Sequence, residues 1–484
     1  MTAVITPERL GALLRPRSVA LVGAADKSGF SQMAYRNLVD FGLAARTHLV
    51  NRRGVTAHGR ATVTSCTQIG EPVDLAFMMV PRAATLDALS DAAAAGIRHA
   101  LVLSSGYADA GAAGQRAQAD LVAHAEALGM LLAGPNHLGF ANFVDQVPVT
   151  AIPGLPRAAG PVALVSQSGM AASAMLDFAT MTGVGLSYLV TLGNEAMIAA
   201  GHVLDYLAGD PHTRAVALFL ETIRDPAAFA LAAHRAAAAG KAVVVLKSGR
   251  SELSARAAAA HTGAVAGDDH TIDELLHDLG VIRVSSIEDL ILTAGAAAHL
   301  GRLARPGIGV VSISGGACDM LADHAADLGA PLPGLAPATR AALAGILPDF
   351  GTVQNPLDIT GAAVIDPGIF TRCIEAVSAD PSVGVVAVIN ALPWQADGRP
   401  WPGQVLADAI GAARAKTPVV CVSQAVQPIT AYTREVMAHA GIAHAIPGLR
   451  HCVTALHRVG WWSQATARVV TPPRPGSASS ASRR

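Results

Sequence analysis

Short apolar runs alternate with longer alanine-rich segments through the first 149 residues of the chain. The apolar runs are rich in β-branched residues and have the length of strands, whereas the segments between them have the length of helices. Strands of this kind are typical of parallel sheets that helices cover on both faces. The pattern predicts a Rossmann-like α/β domain over residues 1–149, with strands in SVALVGA, THLVN, DLAFMMV, HALVLSSG and MLLAGPN.

The same alternation returns twice further along the chain. The stretch VPVTAIPGLPRAAGP, with four prolines, predicts a linker before a second unit over residues 150–304. A third unit covers residues 305–465, and the tail 466–484 is predicted to be disordered. The chain is therefore predicted to be an α/β protein of three consecutive parallel-sheet domains. Open parallel sheets bind ligands at the carboxyl ends of their strands, so the loops at those ends are the candidate sites.

Composition and charge argue against several classes of protein. A net charge of -1 without a basic run, and an aromatic content of 4%, argue against nucleic-acid binding. Mean hydropathy is +0.40, yet no window approaches the ~18 apolar residues of a membrane span. Five scattered cysteines form no CxxC pair, which argues against disulfides and metal sites. The N-terminus lacks the pattern of a secretory signal, so a cytoplasmic location is predicted.

The first unit has a small-residue loop, VGAADKSGF, directly after its first strand. Backbone amides in such a loop can approach a diphosphate. The second strand ends in an asparagine and two arginines, where an NAD-binding protein would present a carboxylate, so a phosphorylated ribose is favoured. Coenzyme A and NADP both remain possible, as does a purely structural turn. The candidate cofactor-binding residues are Gly23, Ser28, Gly29, Asn51, Arg52, Arg53 and Pro81.

The second unit offers an anion site at VSQSGM, where a strand leads directly into a helix. Free amides at a helix start carry partial positive charge, so Ser168 and Gly169 are candidates for binding phosphate. The alternative is that Ser168 is an ordinary N-cap. Glu221 ends the apolar strand AVALFLE, where a carboxylate requires a partner. It either orients a histidine or pairs with Arg224 or Arg214 at the surface.

His261 is the candidate phosphate-accepting residue. It lies among small residues in KSGRSELSARAAAAHTGAVAG, where no bulky neighbour shields its ring nitrogen. A carboxylate such as Glu221 would hold the imidazole in one tautomer and stabilise its positive charge. The alternative is a structural histidine in a small-residue turn. The third unit repeats the strand-to-helix loop in SISGGACDM and adds the shaped loop QNPLDITG.

Taken together, several motifs resemble the α-type chain of NDP-forming acyl-CoA synthetases, a family that includes ADP-forming acetyl-CoA synthetase and is related to succinyl-CoA synthetase. The resemblance covers about residues 8 to 460, and HTGAVAG with the upstream KSGRS is its most specific part. The other motifs are LLRPRSVALVGA, GPNHLGFAN, VALVSQSGM, LGNEA, LFLETIRDPAAF, SISGGA and NPLDITG.

The resemblance implies a CoA-binding first domain followed by two flavodoxin-like, succinyl-CoA synthetase-like domains. It implies His261 as a phosphohistidine, Glu221 as its stabiliser, and Ser168 and Gly169 at the phosphate. The implied reaction is the reversible conversion of acid, CoA and ATP to acyl-CoA, ADP and phosphate through an acyl phosphate. A covalent nucleophile divides such a transfer into easier steps.

The resemblance also implies partners. In the family, ATP or ADP and Mg²⁺ are held by ATP-grasp domains, which nothing in this chain resembles, and no GxxxxGK[ST] loop replaces them. A separate ATP-grasp β-type chain, a small carboxylic acid substrate and a hetero-oligomer are therefore expected. Two rival hypotheses are a non-catalytic CoA-binding sensor or scaffold and an NADP-dependent oxidoreductase.

Two positions depart from the family's pattern. His137 follows Asn136 where cysteine is usual, and Met197 follows LGNEA where an acidic residue is usual. Both departures predict that the acyl pocket or its loop contacts differ from those of relatives.

Overall fold

The structure of the protein is a computed structural model that describes residues 5–251, 253–254, 269–396 and 402–470. His261 lies outside the described residues, and so do residues 471–484 of the predicted tail. None of the described helices combines the length and the apolarity that crossing a bilayer requires.

The first unit is a parallel five-stranded sheet covered by helices, as the sequence predicts. The strand order is β2-β1-β5-β6-β7, and a two-residue hairpin, β3 with β4, lies outside the sheet. The strands are β1 Val19–Val22, β2 Thr47–Val50, β3 Thr56–Ala57, β4 Arg60–Ala61, β5 Leu75–Met78, β6 His99–Val102 and β7 Leu131–Ala133. The helices are α1 Pro7–Leu14, α2 Gly29–Asp40, α3 Thr85–Ala94 and α4 Gly111–Ala127.

The second unit contains a seven-stranded sheet of order β14-β13-β12-β10-β11-β8-β9. Strands β10 to β14 are parallel, whereas β8 and β9 join antiparallel at the β11 edge. The strands are β8 Gly139–Asn142, β9 Val147–Thr150, β10 Val162–Ser166, β11 Leu186–Thr191, β12 Ala215–Leu220, β13 Ala242–Lys247 and β14 Ile282–Val284. The helices are α5 Gly169–Met181, α6 Ala200–Gly209, α7 Pro226–Ala238, α8 Asp269–Asp278 and α9 Ile287–Leu300.

The third unit is again a parallel five-stranded sheet, of order β16-β15-β17-β18-β19. The strands are β15 Gly307–Ser312, β16 Leu357–Asp358, β17 Val383–Ile389, β18 Val419–Ser423 and β19 Ala445–Pro447. The helices are α10 Gly315–Leu328, α11 Pro337–Ala344, α12 Ala362–Ile365, α13 Gly368–Ser378, α14 Pro402–Gly411, α15 Ala431–Ala440 and α16 Leu449–Val470.

All three sheets share one plan. When the parallel strands of each unit are numbered by their appearance in the chain, each sheet has the order 2-1-3-4-5. In this doubly wound arrangement the strand order reverses between the first and third strands, and the crevice at their carboxyl ends is the usual ligand site. The α/β fold class predicted from the sequence is therefore confirmed.

The boundaries between the units differ from the predicted ones. The predicted boundary at residues 149/150 cuts β9, whose residues Val147–Thr150 pair with β8 in the second sheet. The first four residues of the predicted linker 147–161 are therefore a buried strand. The predicted tail 466–484 begins inside α16, which continues to Val470 because its apolar face packs on the second and third units.

Continuous apolar clusters join the three units. One cluster contains Leu21 of β1 and Val165 of β10, so it spans the first and second sheets. Another contains Leu164 of β10 together with Val310 of β15, and it includes the buried Trp462 of α16. The loops at the strand ends are thus presented by one continuous packed body.

Candidate functional site

Gly23 shapes the loop that follows the first strand of the chain. Its φ is +94°, and a Cβ at this position would lie 2.7 Å from the carbonyl oxygen of Met79. Its N–H donates to the Val50 carbonyl at 2.9 Å. The loop after β1 therefore passes close to the loop after β5 at the point where strand order reverses, and only glycine fits there.

Ser28 and Gly29 form the start of α2 in the same loop. The Ser28 hydroxyl caps the helix by accepting a hydrogen bond from the Ser31 N–H at 3.3 Å. Gly29 is the first helical residue and leaves space beside the helix start. Pro81 follows β5 and accepts a hydrogen bond from the Thr85 hydroxyl at 3.3 Å. These residues meet Gly23 at the carboxyl edge of the first sheet.

Asn51, Arg52 and Arg53 lie at the end of the neighbouring strand β2. Asn51 is structural, because its amide donates to the Ala24 carbonyl at 2.8 Å and its side-chain oxygen accepts from the Arg53 N–H at 3.0 Å. Arg52 and Arg53 are exposed, and their guanidinium groups contact no hydrogen-bond or ion-pair partner in the described part of the chain. The basic edge predicted from the sequence is thus available to an anion.

Four residues near this edge, centred on His58, were not identified from the sequence. The His58 ring lies 2.8 Å from the Ser31 hydroxyl and 3.2 Å from the Asp26 carboxylate. It also stacks on Tyr35 with ring centroids 4.8 Å apart. His58 belongs to the turn between β3 and β4, and its packing brings this turn over the start of α2. No local sequence pattern marks this contact between residues about thirty positions apart.

Ser168 caps α5 in the second unit as Ser28 caps α2 in the first. The Ser168 hydroxyl accepts from the Ala171 N–H at 3.3 Å, so the N-cap alternative is correct for this side chain. A Cβ on Gly169 would lie 2.5 Å from a side-chain carbon of Leu138, so the helix start packs tightly against β8. The free amides of the first turn remain a site of partial positive charge.

The third unit repeats this cap with Ser314 at the start of α10. The Ser314 hydroxyl accepts from the Ala317 N–H at 3.4 Å. In both units the last strand residue, Ser166 or Ser312, also bonds with the backbone of the capping serine, at 2.6–3.1 and 3.0–3.2 Å respectively. The S-x-S-G pattern therefore builds the same turn twice.

Gln167 connects three loops at the carboxyl edge of the second sheet. Its side-chain oxygen accepts from the backbone N–H groups of Glu221 at 2.5 Å and Thr222 at 3.0 Å. Its side-chain nitrogen donates to the Thr222 carbonyl and to the Glu195 carboxylate, both at 2.8 Å. The bonds to Glu221 and Thr222 reach the loop after β12, whereas the bond to Glu195 reaches the loop after β11, so Gln167 fixes the backbone from which Glu221 projects.

Glu195 is a buried carboxylate of the LGNEA motif, and it was not among the site residues predicted from the sequence. Its φ is +52°, and its other oxygen accepts from the Ala200 N–H at 2.8 Å. The Arg224 guanidinium lies 3.4 Å from it. Burial raises the pKa of Glu195 to about 7, although these hydrogen bonds and Arg224 act in the opposite direction. The chemistry at this edge therefore includes a carboxyl group that titrates near neutral pH.

Glu221 is half-buried at the end of β12, next to Gln167. The alternative in which it pairs with Arg224 or Arg214 is wrong, because Arg224 pairs with Glu195 instead. Among the described residues, no ion pair or hydrogen bond to the Glu221 carboxylate is found. The next strand, β13, ends in the buried Lys247, and Ser248 donates its N–H to the Leu220 carbonyl at 2.9 Å. The segment that contains His261 follows, outside the described residues.

His137 and Met197, the two departures from the family pattern, both pack against other residues of the chain. His137 is buried, and its Nδ1 accepts from the Gly139 N–H at 2.6 Å. Burial lowers the pKa of His137 to about 3, so the ring is neutral. Met197 is partly buried against the apolar clusters of the first and second units.

Asn355 and Asp358 of the third unit shape their own loop. Asn355 accepts from the Val310 N–H and donates to the Ile308 carbonyl, both at 2.9 Å, and Asp358 accepts from the Thr360 N–H at 2.9 Å. Asp358 therefore has the turn chemistry expected of such a residue, whereas Asn355 ties its loop to the backbone of β15. Within the described ranges, no group of three or more His, Cys, Asp or Glu side chains is arranged to hold a metal ion.

Comparisons with known proteins agree with this division of the chain. Residues 17–142 match the model of a CoA binding domain, and residues 159–297 match the model of the succinyl-CoA ligase like flavodoxin domain. The two matches correspond to the first sheet and to the parallel part of the second.

Relatives with assigned names are similar over most of the chain. The chain is 29% identical over 466 residues to the α subunit of ADP-forming acetate–CoA ligase I of Pyrococcus furiosus, covering 95% of this chain and 99% of that one. It is 33% identical over 393 residues to a trans-feruloyl-CoA synthase of an unknown prokaryotic organism, covering 80% of this chain and 56% of that one. The chain thus spans about half the length of several curated relatives that it matches.

A solved structure has the same overall fold. An acetyl-coenzyme A synthetase 1 of Ca. Korarchaeum cryptofilum, described as dinucleotide forming and in complex with phosphate and ADP, superposes with a TM-score of 0.82 at 26% identity. The match covers 95% of this chain and 98% of that one. The chain is therefore similar over most of its length to α subunits of ADP-forming acetate–CoA ligases, and it contains a CoA binding domain and a succinyl-CoA ligase like flavodoxin domain.

Proposed function

We propose that this chain is the CoA-binding, phosphohistidine-bearing α-type part of an NDP-forming acid–CoA ligase. The reaction converts a small carboxylic acid, CoA and ATP reversibly to acyl-CoA, ADP and phosphate. The similarity to α subunits of ADP-forming acetate–CoA ligases and the arrangement of both crevices support this function. Coenzyme A binds at the first crevice, with Gly23, Ser28 and Gly29 near the diphosphate and Arg52 and Arg53 near the ribose phosphate.

The main observation that supports the proposal is the position of Glu221. Gln167 ties its backbone beside the Ser168 turn, and its carboxylate has no partner among the described residues. A carboxylate at a strand end, on a backbone tied to the loop that leads into an anion-attracting helix start, suits an imidazole that alternates between free and phosphorylated forms. His261 is the histidine proposed for this place, and Ser168 and Gly169 would bind the phosphate.

The proposed reaction consists of three successive group transfers. A phosphate oxygen attacks the thioester carbon of acyl-CoA, which releases CoA thiolate and forms an acyl phosphate. His261 then attacks the phosphorus, which releases the carboxylate and leaves the phosphoryl group on the imidazole nitrogen. The phosphohistidine finally transfers this group to ADP, forming ATP. The positive charge that the imidazole carries while phosphorylated is stabilised by Glu221.

We assign the nucleotide and its Mg²⁺ to a separate ATP-grasp β-type chain, so the active enzyme is a hetero-oligomer in the cytoplasm. The ADP and phosphate in the Korarchaeum enzyme and the subunit name of the Pyrococcus relative support this division. NADP is no longer favoured for the first crevice, because residues 17–142 match a CoA binding domain.

The proposal is tested by following phosphate onto the chain. The full chain is incubated with radiolabelled inorganic phosphate and a panel of acyl-CoA thioesters, and separately with labelled ATP and a candidate ATP-grasp chain. We expect acid-labile, base-stable label on the wild type and none on His261→Asn. The matched control is His234→Asn, an exposed histidine on α7 that should be labelled as the wild type is.

Label on His261→Asn equal to that on the wild type would contradict the mechanism. A chain that binds CoA but is never labelled under either condition would instead support the non-catalytic sensor or scaffold.

A further inference from the structure

A cavity of about 250 Å³ lies between the second and third units. It is bounded by the turn after α5, the last turn of α9, and α15 with the segment that leads into β19. The Ile429 N–H donates to the Met181 carbonyl at 2.8 Å and joins the two units in its wall. The cavity is at the opposite end of α5 from Ser168, a distance of about 20 Å for 13 residues. It is therefore separate from the proposed ligase site.

His444 forms part of the cavity wall and has an unused polar atom. Its side chain is buried, with 6% of the residue exposed. Its Nε2 atom has no hydrogen-bond partner among the described residues. Buried polar atoms in folded proteins nearly always have a partner, so an unpaired nitrogen in a residue that lines the cavity indicates a group that enters from outside the chain.

The orientation of the His444 ring is fixed by its neighbours. The ring of His299 stacks on it with centroids 4.4 Å apart and planes inclined by 19°. The ring also lies close to α9, since a Cβ added at Gly295 would be 3.6 Å from His444 Cε1, an ordinary contact distance. Burial, with a smaller contribution from His299, lowers the pKa of His444 to about 3. The imidazole is therefore neutral, and its protonated nitrogen is a hydrogen-bond donor.

Arg434 gives the cavity its charge. Its Nη1 donates to the Ile429 carbonyl at 2.9 Å, which holds the guanidinium at the cavity while its other N–H groups remain available. The described residues that line the cavity include no aspartate or glutamate. A cationic group and a neutral donor without a nearby acid favour an anionic ligand.

The rest of the lining contains the aliphatic side chains of Ile429, Met437 and Ile442, together with alanines, Thr182 and His299. An inorganic phosphate would place polar oxygens against this aliphatic wall. A carboxylate has both oxygens at one end, and a small apolar body at the other end would pack on these three side chains. We propose that this cavity is a binding site for a small organic carboxylate, held by His444 and Arg434 at the junction of the second and third units.

The test uses the full chain alone, without CoA, nucleotide or a partner, so that its outcome does not depend on the ligase proposal. The chain is labelled with ¹⁵N-histidine and titrated with sodium isobutyrate, and in a second series with inorganic phosphate. The His444 ring signals are assigned by their loss in His444→Phe, which keeps an aromatic ring but removes both nitrogens. We expect isobutyrate to shift the His444 signals saturably and phosphate to leave them unchanged.

Arg434→Met should weaken isobutyrate binding by about tenfold or more, the effect expected from losing a charge-assisted hydrogen bond. The matched control is Arg340→Met. Arg340 is exposed at the start of α11 and donates to the carbonyl five residues before it, as Arg434 does, but lies outside the cavity lining. It should bind isobutyrate as the wild type does.

His444→Phe should also lose binding while unfolding at the same or a higher temperature, because the unpaired buried nitrogen is removed. Three results would overturn the proposal. They are binding of isobutyrate that leaves the His444 signals unmoved, a response of these signals to phosphate alone, and wild-type affinity in Arg434→Met.

Discussion

The side-chain amide of Gln167 donates to the buried carboxylate of Glu195 at 2.8 Å, and its oxygen accepts from the backbone N–H of Glu221. One residue at the end of β10 therefore fixes both carboxylate-bearing loops of the second crevice. Glutamine is suited to this position because it donates and accepts at one end.

Replacing Gln167 with leucine should lower the free energy of unfolding by about 1–3 kcal/mol, the effect of leaving buried polar groups unpaired. In the proposed reaction it should also reduce phosphoryl transfer, because the Glu221 backbone loses its anchor. Urea denaturation and the labelling assay measure the two effects. Gln115→Leu, at an exposed position on α4, is the control for the change of residue type. Unchanged stability in Gln167→Leu would contradict the anchoring role.

Glu195 should make stability depend on pH. Burial raises its pKa in the folded chain from 4.5 to about 7, so folding takes up a proton between these values. The free energy of unfolding therefore falls as pH rises from about 4.5 to about 7, and this contribution is constant above that range. At 1.36 kcal/mol per pKa unit, the free energy of unfolding decreases by about 3 kcal/mol at most over this range.

Glu195→Gln should remove this part of the pH dependence, so its stability relative to the wild type should be higher at pH 8 than at pH 5. Chemical denaturation across this range measures it, with Glu435→Gln, an exposed glutamate on α15, as the control. A difference between Glu195→Gln and the wild type that does not change with pH would show that Glu195 does not titrate there.

Gly23→Ala should disturb the first crevice more than a matched glycine substitution elsewhere. Gly23 and Gly42 both have positive φ, at +94° and +80°, but only at Gly23 would a Cβ meet backbone, the Met79 carbonyl at 2.7 Å. Gly42→Ala should cost about 1 kcal/mol of stability from backbone strain alone. Gly23→Ala should cost more and also weaken CoA binding, measured by calorimetry. Equal losses of stability in the two variants would contradict the close approach of these loops.

Replacing both Arg52 and Arg53 with glutamine should weaken CoA binding about tenfold, since charge-assisted hydrogen bonds to phosphate are lost. Binding of dephospho-CoA, which lacks the ribose phosphate, should change little. Calorimetry with both ligands gives the ratio of affinities that isolates this contact. Arg17→Gln is the control, because Arg17 precedes β1 at the opposite edge of the sheet and pairs with Asp74. An unchanged ratio in the double variant would place the ribose phosphate elsewhere.

Most of the parallel strands could be predicted because each is a continuous apolar run that ends in a small-residue loop, whereas the short strands β14, β16 and β19 were not predicted. Strands β8 and β9 were missed because they are short and β9 contains Pro148, which usually argues against a strand. The structure explains the exception, since β9 is the outermost strand of its sheet and a proline is tolerated at an edge.

Site residues could be predicted only where their position at the end of a strand determines their place in the fold. Ser168 and Glu221 end or follow strands, so the fold places them at the same crevice. Glu195 could not be identified in this way, because its pKa is raised by burial in the folded chain and its partners Gln167 and Arg224 come from two other loops. The contact between His58 and Ser31 could not be predicted for the same reason.

The hairpin of β8 and β9 determines how this protein can be divided for expression. A piece ending at residue 149 would carry Gly139–Asn142 and most of Val147–Thr150 away from the sheet in which they pair. The remaining piece would then leave the buried strand Leu186–Thr191 with an open hydrogen-bonding side, a known template for aggregation. A cut made just before residue 139 keeps the hairpin with the sheet that it closes.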